Sequence, residues 1–283
     1  MADRRKPTAP RRALPGATDV PDDSDARFEP RDPEELTFGG HVLAFFKELS
    51  AVVVGAVIVA SLLRGFVGQM FLIPSISMEN TLKTADRVLV EKLTATERGE
   101  VVVFKDPGGW LTGTQSEERG PIGKVFQFVG VLPDTSTEHL IKRVVGLPGD
   151  HLICCDADGR LTVNGQPLDE TSYLYTGSDG VPADPSLIEF DVVVPDQHLF
   201  VLGDNRGQSR DSRCHLNDVQ AGVIKGQNAF VSEDLVVGRA IAVIWPLARK
   251  HRLPIPDTFG TVPSGAQPAP GAPEITAGPE ATC

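Results

Sequence analysis

With 283 residues the chain is long enough for one large domain or two ordinary ones, and for a sizeable buried core. Its 27 Lys and Arg against 38 Asp and Glu leave a net charge of -11, which excludes a general binder of nucleic acid or of anionic lipid. The four cysteines, Cys154, Cys155, Cys214 and Cys283, form no Cys-x-x-Cys pair and no Cys/His ligand spacing, so no metal is expected.

Residues 1 to about 36 are basic at the start (MADRRKPTAPRR) and acidic afterwards (PDDSDARFEPRDPEE), with many prolines and no apolar periodicity. Such a composition cannot bury enough surface to offset chain entropy, so 1–40 is expected as a disordered tail. Between Glu48 and Arg64 runs LSAVVVGAVIVASLL, uncharged and without a polar face. At 1.5 Å per residue it spans roughly 22 Å, short of a bilayer core of about 30 Å. HVLAFF before Lys47 or GFVGQMFLI after Arg64 makes up the length, because a flanking Lys or Arg reaches the headgroups. A buried helix of a soluble core is the alternative, but the all-round apolar run favours a single membrane anchor over 41–70. It lies too far from the N-terminus for a cleaved leader. The Lys and Arg before it place the N-terminus in the cytoplasm and residues 71–250 outside.

From Asp86 the chain reads as short β-rich runs separated by turns: RVLVEKL, GEVVVFKDP, HLIKRVVGLPGD, RLTVNGQPL, FDVVVP, HLFVLGDN and VGRAIAVIWP. The fold class is therefore mainly β, an antiparallel sheet domain preceded by one transmembrane helix, with about 151–200 as an inserted smaller β region. Asn164-Gly165 signals a hairpin, and residues 108–121 and 176–188 read as exposed loops. In an oxidising compartment Cys154 or Cys155 would pair with Cys214; otherwise the two adjacent cysteines are plain strand residues. From Pro254 the composition turns to Pro, Ala and Gly, and 251–283 is expected as a second disordered tail.

The sequence lacks GxSxG, HExxH and GxxxxGK[ST], and its six histidines read as surface or structural residues. A serine nucleophile would need another base. A lysine can serve if burial brings its amine well below the ordinary value of about 10.4. Lys142 is set among Leu140, Ile141, Val144 and Val145.

IPSISMENTL, DRVLVEK, RGEVVVFKDP, IKRVVGLPGD and GDNRGQSRDSR resemble, in order and character, the boxes of the type I signal peptidases, membrane-anchored Ser/Lys proteases of bacteria. The resemblance covers Ile73 to Arg213. It implies Ser77 as nucleophile, Lys142 as general base, Ser75 as an oxyanion-hole donor beside the Ser77 N–H, and Ser209 as the serine that hydrogen-bonds and orients the lysine. It further implies Asp211 and Arg213 as a supporting ion pair, and shallow apolar substrate pockets around Ile73, Pro74, Met78, Leu82, Leu140 and Ile141. No cofactor is implied. The implied partners are signal peptides of exported preproteins, membrane lipid and the protein-export translocon, with no nucleic acid. Ile76, Asn80, Gly207 and Gln208 depart from the family's common residues. The competing readings are a soluble Ser/Lys self-cleaving repressor, which needs a DNA-binding helix pair, and an inactive membrane-tethered binding module.

Overall fold

The structure, a computed structural model, describes residues 38–66, 68–111, 120, 123, 139–265 and 267–277. The expected N-terminal tail, most of the 108–121 loop and the last six residues lie outside the described residues. The chain divides into two units, Met1–Ala51 and Val52–Cys283, with the boundary inside a long helix.

That helix, α1, covers Phe38–Phe66. Its segment Gly39–Leu62, with a mean hydropathy of 2.2, is long and apolar enough to cross a membrane. Leu43, Phe45, Val52, Ile58 and Leu62 all stand exposed along it, as an apolar solvent would require. The helix ends before residue 70, the expected end of the anchor, because the chain at Gly68 already pairs with a strand. A Cβ there would overlap the Val90 carbonyl oxygen.

The strands, in chain order, are β1 (Gly68–Leu72), β2 (Arg87–Glu91), β3 (Val101–Lys105), β4 (His139–Gly146), β5 (His151–Cys154), β6 (Thr162–Val163) and β7 (Gln166–Pro167). They continue as β8 (Phe190–Val193), β9 (His198–Leu202), β10 (Val231–Ser232), β11 (Val236–Trp245), β12 (His251–Arg252) and β13 (Glu274–Ala277). The larger sheet has the order β1-β2-β11-β3-β4-β9-β10, with β12 also on β11, and the smaller β13-β8-β5-β6-β7. Every pairing between these strands is antiparallel. Strand β3 reads VVVF because both its faces are covered: Val101 and Val103 join one apolar cluster, Val102 and Phe104 another. Asn164 and Gly165 take φ +52° and +77°, the two left-handed positions that the tight turn between β6 and β7 demands.

Two sequence expectations fail here. Cys154 and Cys155 are bonded to each other, so neither pairs with Cys214. Cys154 closes β5 of the smaller sheet, whereas Cys214 sits on the short turn Ser212–His215, which docks on β9 of the larger sheet through a bond from Val201 N–H to Ser212 Oγ. The 254–277 stretch is not a loose tail. Phe259 is 4% exposed within the core, Ile255, Val262 and Ile275 pack against the same cluster, and β13 pairs with β8 over four positions. Backbone hydrogen bonds and a few apolar anchors fix a segment whose composition carries no periodic signal.

Candidate active site

The segment after β1, IPSISMENTL, is held by local bonds. Ile73 N–H donates to the Asp86 carbonyl, Glu79 N–H to that of Ile76 and Leu82 N–H to that of Met78. Asn80 takes φ +56°, a left-handed conformation that Asn tolerates and that a proline ring forbids. The turn buries Ser77 and Met78 and leaves Ile76 45% exposed, so the bulky side chain between the two serines points to solvent and strains nothing.

Strand β4 brings Lys142 to this turn. Its Nζ donates to Ser77 Oγ at 2.5 Å, with the two residues 3% and 5% exposed. Ser75 Oγ lies 3.2 Å from Ser77 Oγ. Burial is the largest influence on the Lys142 amine and outweighs the opposing pull of Asp211 and Asp204, bringing its pKa down to about 8, with Arg213 acting in the same direction as burial. Serine hydroxyl and amine can thus exchange a proton near neutral pH, the requirement for nucleophilic attack on a carbonyl.

Around this pair stand three buried Arg–carboxylate bridges. Asp211 accepts from Arg213 Nε and Nη2, both at 2.8 Å, and from the Gly203 N–H at 3.0 Å. Burial pushes the Asp211 carboxyl up, but Arg213 and these donors overcome it and hold the group below the usual range. Arg143, next to Lys142, donates to Asp204 through Nε at 2.8 Å and Nη2 at 2.6 Å, and to the Gly99 carbonyl at 2.7 Å. Arg206 donates to Glu170 at 2.6 Å and to the Gly203 carbonyl at 3.0 Å. Asn205 fastens the turn itself: its side chain donates to the Ile76 carbonyl at 3.2 Å and its N–H to that of Ser77 at 3.0 Å.

The expected residues Ser75, Ser77, Lys142, Asp211 and Arg213 therefore converge. Ser209 is in place and 5% exposed, but its Oγ has no hydrogen-bond partner among the described residues, and the expected bond to Lys142 is not formed. Lys142 Nζ donates to Ser77, and Ser209 packs on Gly203. Of the six expected pocket residues, Met78 and Leu82 are wholly enclosed, and Ile73 and Ile141 nearly so, in one apolar cluster. They are core because their side chains face inward from the turn and from β4. Pro74 is exposed and Leu140 half-buried. Asp204, Arg143, Glu170, Arg206 and Asn205 were missed. The GDN turn and the KR pair within an apolar strand were the available signals.

Gly203 carries a direct test. A Cβ there would overlap Ser209 Oγ and lie 2.6 Å from the Ser77 carbonyl oxygen. Gly203→Ala is expected to lower turnover about 100-fold by displacing the serine turn, measured as kcat on protein shown folded by circular dichroism.

A family model described as signal peptidase, peptidase S26, matches residues 46–245. The chain is 32% identical over 267 residues to signal peptidase I of Mycobacterium tuberculosis, covering 85% of this chain and 84% of that protein. It is 37% identical over 209 residues to a probable signal peptidase I of Mycobacterium leprae, covering 65% and 71%. It is 34% identical over 206 residues to the probable signal peptidase I-2 of a Synechocystis strain, covering 71% and 74%.

Proposed function

The chain belongs to the signal peptidase S26 family and is a serine endopeptidase of the signal peptidase I kind, and we propose that Ser77 and Lys142 form the dyad with which it cleaves signal peptides from exported preproteins. The 2.5 Å bond between two buried side chains carries this reading.

Neutral Lys142 takes the Ser77 proton as Oγ attacks the carbonyl carbon before the cut, giving a tetrahedral oxyanion. The Ser77 N–H and the Ser75 hydroxyl are the donors for that oxyanion, and one such donor is worth about 3 to 4 kcal/mol. The Lys142 ammonium then protonates the departing amine, leaving the signal peptide as an ester on Ser77. A water molecule, deprotonated by the again neutral lysine, hydrolyses the ester. Asp211 with Arg213 and Asp204 with Arg143 hold their own charges in pairs, so no lone buried carboxylate fixes the lysine in its charged form. With Met78 and Leu82 enclosed, substrate contact falls to Pro74, Leu140 and the exposed face of Ile76, which supplies apolar surface directly beside the nucleophile.

The apolar length of α1 supports a single span, and the basic residues ahead of it support a cytoplasmic N-terminus with the β unit outside. A nucleophile placed shortly after the anchor suits a cut site that emerges from the bilayer, with membrane lipid and the export translocon as partners.

The test is cleavage of a model preprotein by the full chain in liposomes. The wild type is expected to release the mature protein and Ser77→Ala to release none. Cleavage by Ser77→Ala at the wild-type rate would overturn the reading. The pH dependence has a defined sign. Lys142 works when neutral, so kcat/KM is expected to be half-maximal near pH 8 and to fall about tenfold per pH unit below it. A profile flat from pH 5 to 9 would remove Lys142 as the base.

A further inference from the structure

The family match ends at residue 245, yet the chain beyond it folds back on the catalytic unit. The residues from 254 to 277 are tied along their length: Thr258 Oγ1 accepts from Asp169 N–H at 2.9 Å, the Pro263 carbonyl from Asn164 at 2.8 Å and the Pro270 carbonyl from Asp196 N–H at 2.8 Å, before β13 pairs with β8. Near the start of this strap Phe259, on the turn Asp257–Thr261, stacks on Tyr173 with ring centres 5.8 Å apart. Phe259 also fills the space that a side chain on Gly99 would need. Tyr173 in turn lies under the Arg143 guanidinium, 4.5 Å from its ring centre, and its hydroxyl donates to Glu170 at 2.5 Å. One continuous column therefore runs from the strap through Tyr173 to the arginine adjoining Lys142.

We propose that the strap is a positioning element for the reaction: Phe259 acts through Tyr173 to hold Arg143 in its bidentate grip on Asp204, and so keeps the base side of the dyad dry and in register. This rests on the function proposed above. Arg143 is a planar cation whose fork must stay coplanar with the Asp204 carboxylate, and a ring packed on its face fixes that plane. A solvent-open cavity of about 330 Å³ beside the start of the strap is lined by Arg143, Tyr173, His251, Arg252 and Asp257, so water already comes up to the Arg143–Tyr173 pair. Phe259, stacked behind Tyr173, keeps that ring in place between this water and the Arg143–Asp204 bridge. The charged groups facing Lys142 are Asp204, Asp211 and Arg213, and those facing Arg143 are Asp204 and Arg206, with the neutral Tyr173 hydroxyl as the further titratable group. Water reaching this set stabilises the ammonium of Lys142. An Asp204 released from Arg143 acts in the same direction, so both effects push the active form of the enzyme to higher pH.

The experiment compares the full-length wild type with Phe259→Ala and Phe259→Leu, measuring kcat, KM and the pH profile of kcat/KM on a model preprotein, with thermal unfolding beside them. Expected is a kcat loss of about tenfold to a hundredfold with KM little changed, and an acidic limb displaced upward, at temperatures where the variants are fully folded. Tyr173→Phe, which keeps the stack, is expected to leave the limb in place. The proposal is overturned if folded Phe259→Leu retains the wild-type kcat and limb, or if activity in both variants simply follows the folded fraction. A wild-type chain that cleaves no preprotein would remove the function it rests on, and is seen before any variant is made.

Discussion

Replacing Lys142 with methionine is expected to lower kcat by roughly 10²- to 10⁴-fold, the range that a lost general base commands, while the protein remains folded. Methionine keeps an unbranched chain of similar length, so the buried volume is preserved and only the proton acceptor is removed. The lysine is itself unfavourable for stability over a defined pH range. Its folded pKa of about 8 lies below lysine's ordinary value, so between the two the unfolded chain binds a proton that the folded chain has released. Stability on account of this group therefore rises with pH across that window and is lost as pH falls toward 8. Lys142→Met removes the dependence. Single-turnover cleavage and denaturant unfolding at pH 7 and pH 10 measure the two halves. A variant with normal turnover removes the dyad, and one with an unchanged stability slope shows that the lysine is not desolvated.

The second large effect falls on stability. Arg143 and Asp204 are 3% and 0% exposed at their side chains, so Arg143→Met leaves a carboxylate enclosed with Thr81 as its remaining side-chain donor. Breaking a buried pair from one side costs about 3 to 5 kcal/mol. The double change Arg143→Met with Asp204→Leu is expected to recover most of that loss, because no charge then remains buried. Urea unfolding of the four proteins in a double-mutant cycle gives the coupling directly. A single mutant within about 0.5 kcal/mol of wild type would show that water reaches the pair. Arg143→Lys is expected to fall between, since an ammonium keeps the charge but cannot grip both carboxylate oxygens.

The reading of the sequence was sound where the signal is local. α1 is an unbroken apolar run, and the strands are short β-branched runs between turn residues. It failed where partners are far apart in the chain. Arg143 with Asp204 and Arg206 with Glu170 are separated by 61 and 36 residues, and nothing in the periodicity of either stretch distinguishes them from solvated charges. Side-chain direction at the expected pocket positions was not legible either. Met78 and Leu82 belong to the boxes, but side-chain direction depends on the turn that Asn80 makes, and the turn sends both inward. The strap was missed because its strand is held by main-chain hydrogen bonds, which a stretch rich in Pro, Ala and Gly does not advertise.

Asn205 holds the carbonyls of Ile76 and Ser77, and so ties the nucleophile's turn to a residue far along the chain. The consequence is one of timing. On the proposed topology the serine emerges from the export channel early, before the lysine and well before the asparagine that fastens it. A chain halted short of residue 205 lacks both bonds from Asn205 to the serine turn and lacks the Asp211–Arg213 pair beside the base. On that topology the site is complete only once the chain through Arg213 has crossed.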